Sequence, residues 1–313
     1  MKKAIAVVLV TTLVLTLLLG LVGCTKTINI DPKHLSSIWM RKISDDTLLS
    51  SISIPGTHDS GAYKSGLIHN LGRDQELTIT QQLEVGVRFL DIRLDAQKGG
   101  LTVYHGFLNE HLSFDDVLLD CFAFLDKNPT ETIIICIKQE RKNSITDKVH
   151  AYIEKDASKW FLENRVPTLG EVRGKLVLFR RFADNVDFGL NLYDGFPENT
   201  SGDFNNGVKC HVQDYYNYGS KKNMDAEWVA VEECLDYSKS SAENEYVINF
   251  TSGFYYVLGF IPQIKKTAQY VHPRFIAYAT EHAADCYGIV LFDFVSENLA
   301  YAVYTTNQSV NLE

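Results

Sequence analysis

Two histidines, an arginine and several carboxylates occur in this chain at spacings that suit proton transfer and phosphate binding. His58 and Asp59 fall in "SIPGTHDSG" (53–61), where two apolar residues and a Pro-Gly bend lead straight into Thr57, His58, Asp59 and Ser60. Asp91 and Arg93 lie two apart in "FLDIRLD", which on a strand turns both to one face. His105 follows "VY", and Lys138 closes "IIICIKQE". Arg181 closes "LVLFRRF", Asp214 and Tyr216 close "HVQDYY", and Asp293 closes "IVLFDF". Each has an ordinary explanation when taken alone. A polar turn bonds its own backbone, and long basic side chains snorkel at strand edges. Together they put a charged or polar residue after nearly every apolar run.

Two histidines let one accept a proton while the other gives one, as cleavage of a phosphodiester by a neighbouring hydroxyl requires. An arginine between them neutralises the phosphate and the charge that builds on it. A carboxylate such as Asp293 holds one imidazole in the useful tautomer. Metal catalysis calls instead for His pairs or acidic clusters at ligand spacing, and neither H-E-x-x-H nor H-x-H occurs. Arg93 stands beside Asp91 where a metal site would want a second carboxylate, so no metal ligand and no cofactor are expected.

The elements that must position these groups are short apolar runs at 49–54, 87–92, 101–104, 132–137, 175–179, 208–212, 246–251 and 288–292. Near-continuous hydrophobicity, as in 133–137, marks strands covered on both faces. Helical periodicity covers 113–128, where Ser113 and Asp116 make a capping box, and also 145–158, 224–238 and 263–282. Eight strands with interleaved helices predict a single α/β domain, a (β/α)8 TIM-type barrel. The outer helix ring should be incomplete, because the intervals after strands one, two and five are poor in helical pattern. In such a barrel the C-terminal strand ends, which carry every residue named above, share one mouth.

The first residues address the chain rather than fold it. Met1-Lys2-Lys3 precedes an uncharged apolar run to Gly23, and "LVGC" at 21–24 resembles a bacterial lipobox. The expected organisation is a signal peptide over 1–23, an acylated Cys24 with a polar tether over 24–38, and the barrel over 39–313. Without Lys2 and Lys3 the chain holds 28 basic and 39 acidic residues, a net charge of about −11. That balance excludes general nucleic-acid binding, and it leaves membrane contact to local apolar groups. Five further cysteines without C-x-x-C spacing predict no zinc site and no full disulfide framework; a Cys210–Cys234 bridge stays open.

Taken in order, "SIPGTHDSG", "VRFLDIRLD", "YHG", "IIICIKQE", "GKLVLFRRF", "VQDYY", "VINFTS" and "GIVLFDF" resemble the bacterial phosphatidylinositol-specific phospholipases C over about residues 39–300. The resemblance implies an incomplete (β/α)8 barrel that cleaves phosphatidylinositol to diacylglycerol and inositol 1,2-cyclic phosphate without metal. Some members of that family also release glycosyl-phosphatidylinositol-anchored proteins. Carried over by motif, it casts His58 as general base oriented by Asp293, and His105 as general acid with Asp91 close to the leaving group. Arg93, aided by Asp59, would bind the phosphate. Lys138, Arg181 and Asp214 would bind inositol hydroxyls, and Tyr216 would stack on the ring. Arg181 is preferred to Arg180 because it directly precedes Phe182. The implied partner is a phosphatidylinositol-containing membrane, met by a monomeric lipoprotein outside the cytoplasm. Secreted members carry rim tryptophans that "YKSGLIHNLG" (63–72) lacks, which leaves Leu67, Ile68, Phe254, Tyr255, Tyr256 and Phe260 as rim candidates. Two alternatives compete: a metal-dependent phosphodiesterase of similar architecture, and a non-catalytic lipoprotein that binds inositol headgroups or glycans.

Overall fold

The structure, a computed structural model, describes residues 35–64, 72–182 and 186–307. Cys24, the leader and the rim candidates Leu67 and Ile68 lie outside the described residues. The chain enters through β1 (Ile54–Thr57), α1 (Ile79–Glu84) and β2 (Phe89–Gln97). A hairpin of β3 (Gly100–His105) and β4 (Leu108–Ser113) leads into α2 (Phe114–Lys127) and β5 (Ile133–Gln139). Next come α3 (Thr146–Glu154), β6 (Trp160–Phe161), α4 (Leu169–Val172), β7 (Leu176–Arg181) and β8 (Leu190–Asn191). β9 (Ser201–Asn205), β10 (Lys209–Gln213), α5 (Met224–Ser238) and β11 (Glu245–Phe250) follow. A small hairpin of β12 (Tyr256–Val257) and β13 (Ile261–Pro262) precedes α6 (Ile264–Glu281), β14 (Ile289–Phe292) and α7 (Glu297–Tyr304).

Parallel ladders run β7–β5–β2–β1–β14–β11–β10, the wall of a TIM-like barrel. The next position is shared by two short strands, β6 on the first half of β7 and β8 on the second. Beyond β8, asparagine side chains bridge where no described backbone ladder runs. Asn206 Nδ2 donates to the carbonyls of Asn191 (3.2 Å) and Asp194 (2.6 Å), and Asn164 Nδ2 donates to the Asn206 carbonyl (2.6 Å). After β7 the short strands β8 and β9 stand where a helix would complete the outer ring.

Two expected strands are corrected. Leu49–Ser51 is a 3-10 turn, and the first strand is Ile54–Thr57, so the Pro-Gly step is the strand itself. Pro55 comes before the β2 ladder, which begins at Gly56, so its missing N–H forfeits no sheet bond. A β-carbon on Gly56 would lie 3.0 Å from the Phe89 Cβ and 3.1 Å from the Leu291 Cγ, so glycine lets three strands close at this point. The 101–104 run is not a barrel strand either, since β3 pairs antiparallel with β2 and β4. Only residues 98 and 99 separate β2 from β3, far too few for the crossover that a parallel strand needs. The Cys210–Cys234 bridge is also set aside: both are free thiols, as are Cys121, Cys136 and Cys286.

Alternation along the strands builds two cores. From β5, Ile133, Ile135 and Ile137 pack outward against helices, while Ile134 and Cys136 join Phe89, Phe179, Val212, Ile248 and Leu291 inside. Trp39, Met40, Leu49 and Ile52 join the inner cluster from the chain that precedes β1. In this interior the register stacks rows: Phe89, Ile134 and Val177, then Asp91, Cys136 and Phe179, then Arg93, Lys138 and Arg181. The barrel therefore passes from apolar floor to a row of three cations at the C-terminal strand ends.

The opposite end is fixed by a buried ion pair. Arg88 Nη2 lies 2.8 Å from Glu131 Oε2 with neither side chain exposed, and further guanidinium donors reach the carbonyls of Leu83, Val87 and Ser37. Removing the carboxylate strands a buried cation, which typically costs about 3–5 kcal/mol. Glu131→Ala should lose stability of that order in urea unfolding while activity per folded molecule is retained. A loss below about 1 kcal/mol would show that the pair is not needed to hold this end.

Candidate active site

The opening motif divides its labour. Thr57 and Ser60 turn inward, with their hydroxyls 2.7 Å apart; Thr57 also donates to Gln82 Oε1, and the Asp91 amide donates to Ser60 Oγ at 2.8 Å. Asp59 adopts φ 41°, a left-handed conformation that aspartate tolerates, and its own amide donates to Asp91 Oδ2 (3.2 Å). This braced turn leaves His58 and Asp59 facing the mouth.

His58 Nδ1 lies 2.8 Å from Asp293 Oδ1, and Arg93 Nη2 lies 2.6 Å from His58 Nε2. A guanidinium can only donate, so Nε2 is the acceptor, and Nδ1 carries the proton shared with Asp293. Burial first, then Arg93, lowers the imidazole well below its ordinary range, while burial raises Asp293. Both shifts oppose an ion pair, and the resting ring is neutral with its basic nitrogen toward the cavity.

Arg93 is itself clamped. Its Nε and Nη2 both lie 3.0 Å from Asp91 Oδ2, and its Nη1 lies 3.0 Å from Asp59 Oδ2. Although burial works against charge, Asp59 and Asp91 keep the guanidinium firmly protonated. Burial also opposes ionisation of Asp91, but Arg93, Arg181 and His58 hold it below the usual carboxylate range. Asp91 is wholly buried beneath Arg93 and does not line the cavity.

His105, at the end of the β3 hairpin, arrives from the other side. Its Nε2 is 3.7 Å from Asp59 Oδ2, and its Nδ1 is 3.1 Å from the Gly72 carbonyl and 3.3 Å from Asp74 Oδ2. Burial disfavours its charge, yet Asp74 and Asp59 push it up to about 9. The two histidines are thus held in opposite protonation states on either side of one arginine.

The remaining candidates frame the same open cavity of about 250 Å³, lined by Lys138, Asp214 and Tyr216 as well as both histidines, Arg93 and Asp293. At this size it suits a polar headgroup rather than acyl chains, since drug-sized pockets span roughly 300–1,000 Å³. Arg181 stacks on Phe196 (3.6 Å to the ring centroid) and points toward Asp214 at 3.9 Å and Glu198 at 3.2 Å. Its Nη1 is buried without a hydrogen-bond partner among the described residues. Arg180 instead donates to carbonyls of Phe182, Val186 and Phe188. Burial pushes Asp214 up to about 7, and Arg93 followed by burial lowers Lys138.

Three charged lining residues escaped the sequence reading. Glu140 lies two residues beyond Lys138, so strand alternation could have found it. Asp74 and Glu198 sit in irregular segments where spacing carries no signal. The expected absence of a ligand cluster also needs amending: His58, Asp74 and Asp293, and separately Asp59, Asp74 and His105, bring one ligand atom each within 4.8 Å of one another. Arg93, with its permanent charge, contacts one member of each grouping, His58 and Asp59.

Apolar side chains flank the mouth. Phe107, next to the lining residue Gly106, is 80% exposed, and Leu258 and Phe260 on the β12–β13 hairpin are 78% and 71% exposed. Tyr256 is exposed as expected, whereas Tyr255 is buried and Phe254 lines the cavity, so those two pack rather than project. Among the described residues no helix is long and apolar enough to cross a membrane.

A family model described as "Phosphatidylinositol-specific phospholipase C, X domain" matches residues 52–182. The 1-phosphatidylinositol phosphodiesterase of Listeria monocytogenes is 31% identical over 294 residues, covering 86% of this chain and 84% of that protein. The protein of the same name from Staphylococcus aureus strain Newman is 30% identical over 242 residues, covering 68% of this chain and 74% of its own length. The solved structure of the phosphatidylinositol-specific phospholipase C from Listeria monocytogenes superposes with a TM-score of 0.73 at 26% identity, over 87% of this chain and 98% of that one.

Nuclear magnetic resonance of the ring carbons and nitrogens should find His58 neutral near pH 6 and His105 still charged near pH 8. Because its folded value of about 9 exceeds the ordinary 6.5, His105 contributes stability that is full below about pH 6.5 and lost as pH rises through 9. Both rings titrating together near 6.5 would contradict this division.

Proposed function

The chain belongs to the phosphatidylinositol-specific phospholipase C family, and from that premise we propose that it cleaves phosphatidylinositol without metal, giving diacylglycerol and inositol 1,2-cyclic phosphate. The observation that carries the mechanism is geometric: His58 Nε2 accepts from Arg93 with Nδ1 on Asp293, while His105 lies between Asp59 and Asp74. His58 Nε2 takes the proton of the inositol 2-hydroxyl, whose oxygen bonds to phosphorus while the bond to the glycerol oxygen breaks. His105 gives its proton to that departing oxygen. Asp293 steadies His58 through Nδ1, in the manner of a catalytic triad carboxylate.

In the resting site Arg93 donates to the nitrogen that must act as base. A phosphate offers its fork of donors a better acceptor, so substrate draws the guanidinium off His58 and onto the non-bridging oxygens. Asp59 shares Arg93 and faces His105, and Asp91 works through Arg93 from below. Lys138, Arg181 and Asp214 hold the ring hydroxyls, with Tyr216 against the ring face. The exposed Phe107, Leu258 and Phe260 enter the lipid surface. Leu258 supports this reading because the β12–β13 turn, with φ 55° at Leu258 and φ 80° at Gly259, carries its side chain outward to 78% exposure. Cleavage before Cys24 and its acylation would tether a monomer outside the cytoplasm, with the residues between Cys24 and Leu35 as the leash, since Ser36 and Ser37 are already bonded to Tyr304 and Arg88.

Turnover on phosphatidylinositol vesicles tests the reading. His58→Ala and His105→Ala should each lower kcat by about 10²–10⁴-fold with folding intact. Arg93→Lys, which keeps charge but loses the fork, should also fall at least tenfold, by roughly the cost of one charge-assisted hydrogen bond. Chelator should leave the rate unchanged; inactivation by chelator would favour the metal-dependent alternative and the ligand groupings noted above. Phosphatidylcholine lacks the hydroxyls that the pocket's polar groups need, so its comparable hydrolysis would refute the inositol pocket.

A further inference from the structure

We propose that Asp74 is a positioning residue for the acid step, a carboxylate that backs the imidazolium of His105 through Nδ1 and leaves Nε2 to deliver the proton. This rests on the acid–base reading above. Both neighbours on the Nδ1 side, the Gly72 carbonyl at 3.1 Å and Asp74 Oδ2 at 3.3 Å, lie away from the nitrogen that faces Asp59 and the cavity. His105 therefore resembles His58 in plan, with a carboxylate beside Nδ1, here at ion-pair distance while the Gly72 carbonyl takes the hydrogen bond, and with the other nitrogen free for chemistry.

The position of Asp74 is set by backbone. Its amide donates to the Ala62 carbonyl (3.1 Å), and its carbonyl accepts from the Phe294 amide (2.6 Å). Gln75 beside it donates to the carbonyls of His58 and Phe292 at 2.8 Å each and accepts from the Val295 amide. The pair Asp74-Gln75 is thus wedged between the turn that carries His58 and Asp59 and the turn that carries Asp293. Phe294, which receives the Asp74 carbonyl, holds φ 47°, a strained conformation for an aromatic residue.

Its charge is not spent elsewhere. Asp59 divides itself between Arg93 and the histidines, whereas the only described ion pair of Asp74 is with His105. Asp74 is buried, and its Oδ2 accepts no hydrogen bond of good geometry among the described residues. A carboxylate placed so is stabilised mainly by a proton on His105. The other charged groups around that ring are Asp59 from the β1 turn, Arg93 from β2 and Glu110 from β4, with Glu140 after β5 and His58 further off. When His105 gives up its proton to the leaving oxygen, Asp74 faces a neutral ring, which favours prompt reprotonation.

Asp74→Asn keeps the shape and removes the charge. Its kcat/KM on phosphatidylinositol should match wild type within about threefold near pH 6, yet fall roughly tenfold below it near pH 8.5, as His105 loses its proton earlier. An inositol phosphodiester with a nitrophenol leaving group departs without a proton, so on that substrate the variant should match wild type at both pH values. Ring resonances of His105 should titrate lower in the variant, a readout that needs no turnover. Superimposable pH profiles, or an equal loss on both substrates at every pH, would overturn the proposal. If the variant does not fold, His105 is titrated in Asp59→Asn: a value still above the ordinary range supports Asp74, and a return to the ordinary range refutes it. Failure of wild type on phosphatidylinositol would instead strike the functional reading, and the titration would still judge Asp74.

Discussion

A guanidinium buried among acids is the constraint on which this molecule turns. Asp59, Asp74, Asp91 and Asp293 all lie within the barrel mouth with almost no exposure, and burying carboxylates without cations is prohibitively costly. Arg93 contacts Asp59, Asp91 and His58 at once, and Lys138 and Arg181 stand in the same row of the sheet. Because β2, β5 and β7 are in parallel register, that row is created by the backbone before any side chain chooses a rotamer. The acids then organise around it, some from strands and some from turns. Two of those carboxylates, Asp59 and Asp74, set the charge on His105, while Arg93 itself helps keep His58 neutral. The cation thereby favours a neutral His58, while the carboxylates that outweigh it favour a charged His105.

The barrel explains why the cations can be there at all. The lower inner rows are Phe89, Ile134 and Val177, then Cys136 and Phe179, and they keep water from the floor. At the other end the Arg88–Glu131 pair repeats the same logic in a dry setting, where one cation and one carboxylate satisfy each other completely. The contrast is instructive. Arg88 has all its neighbours supplied by the protein, whereas Arg181 retains a buried donor without a partner beside an open cavity.

Strand-borne residues were legible in the sequence because alternation alone aims them. Asp91 and Arg93 follow this rule, as do the apolar interior positions of β5. Residues carried by turns were legible only where a motif surrounded them, as at His58, Asp59 and Asp293. Asp74 had neither aid: it reaches the site through backbone bonds to Ala62 and Phe294, contacts between segments far apart in the chain. The 101–104 run differs for another reason: the Gly99-Gly100 step between two apolar runs signals a hairpin rather than a crossover to a new barrel strand. The apparent strand at 49–54 misled because its serines alternate with leucine and isoleucine without pairing to a sheet.

The hairpin that was misread is the element that separates the two histidines. Had Gly100–His105 formed a barrel strand, its last residue would stand level with Arg93 and Lys138, inside the ring of cations. As an antiparallel excursion from β2 it instead brings His105 against Asp59 and Asp74, while His58 is held by Asp293. Displacement from the cation row lets carboxylates outweigh Arg93 in the surroundings of His105, while His58, in hydrogen-bond contact with Arg93, feels the opposite balance. The turn at Gly106 then carries Phe107 out to the rim, so the same excursion that sets the acid also presents an apolar side chain beside it. In the proposed mechanism, proton delivery from His105 and surface contact by Phe107 would therefore depend on one short ribbon of backbone, β3–β4.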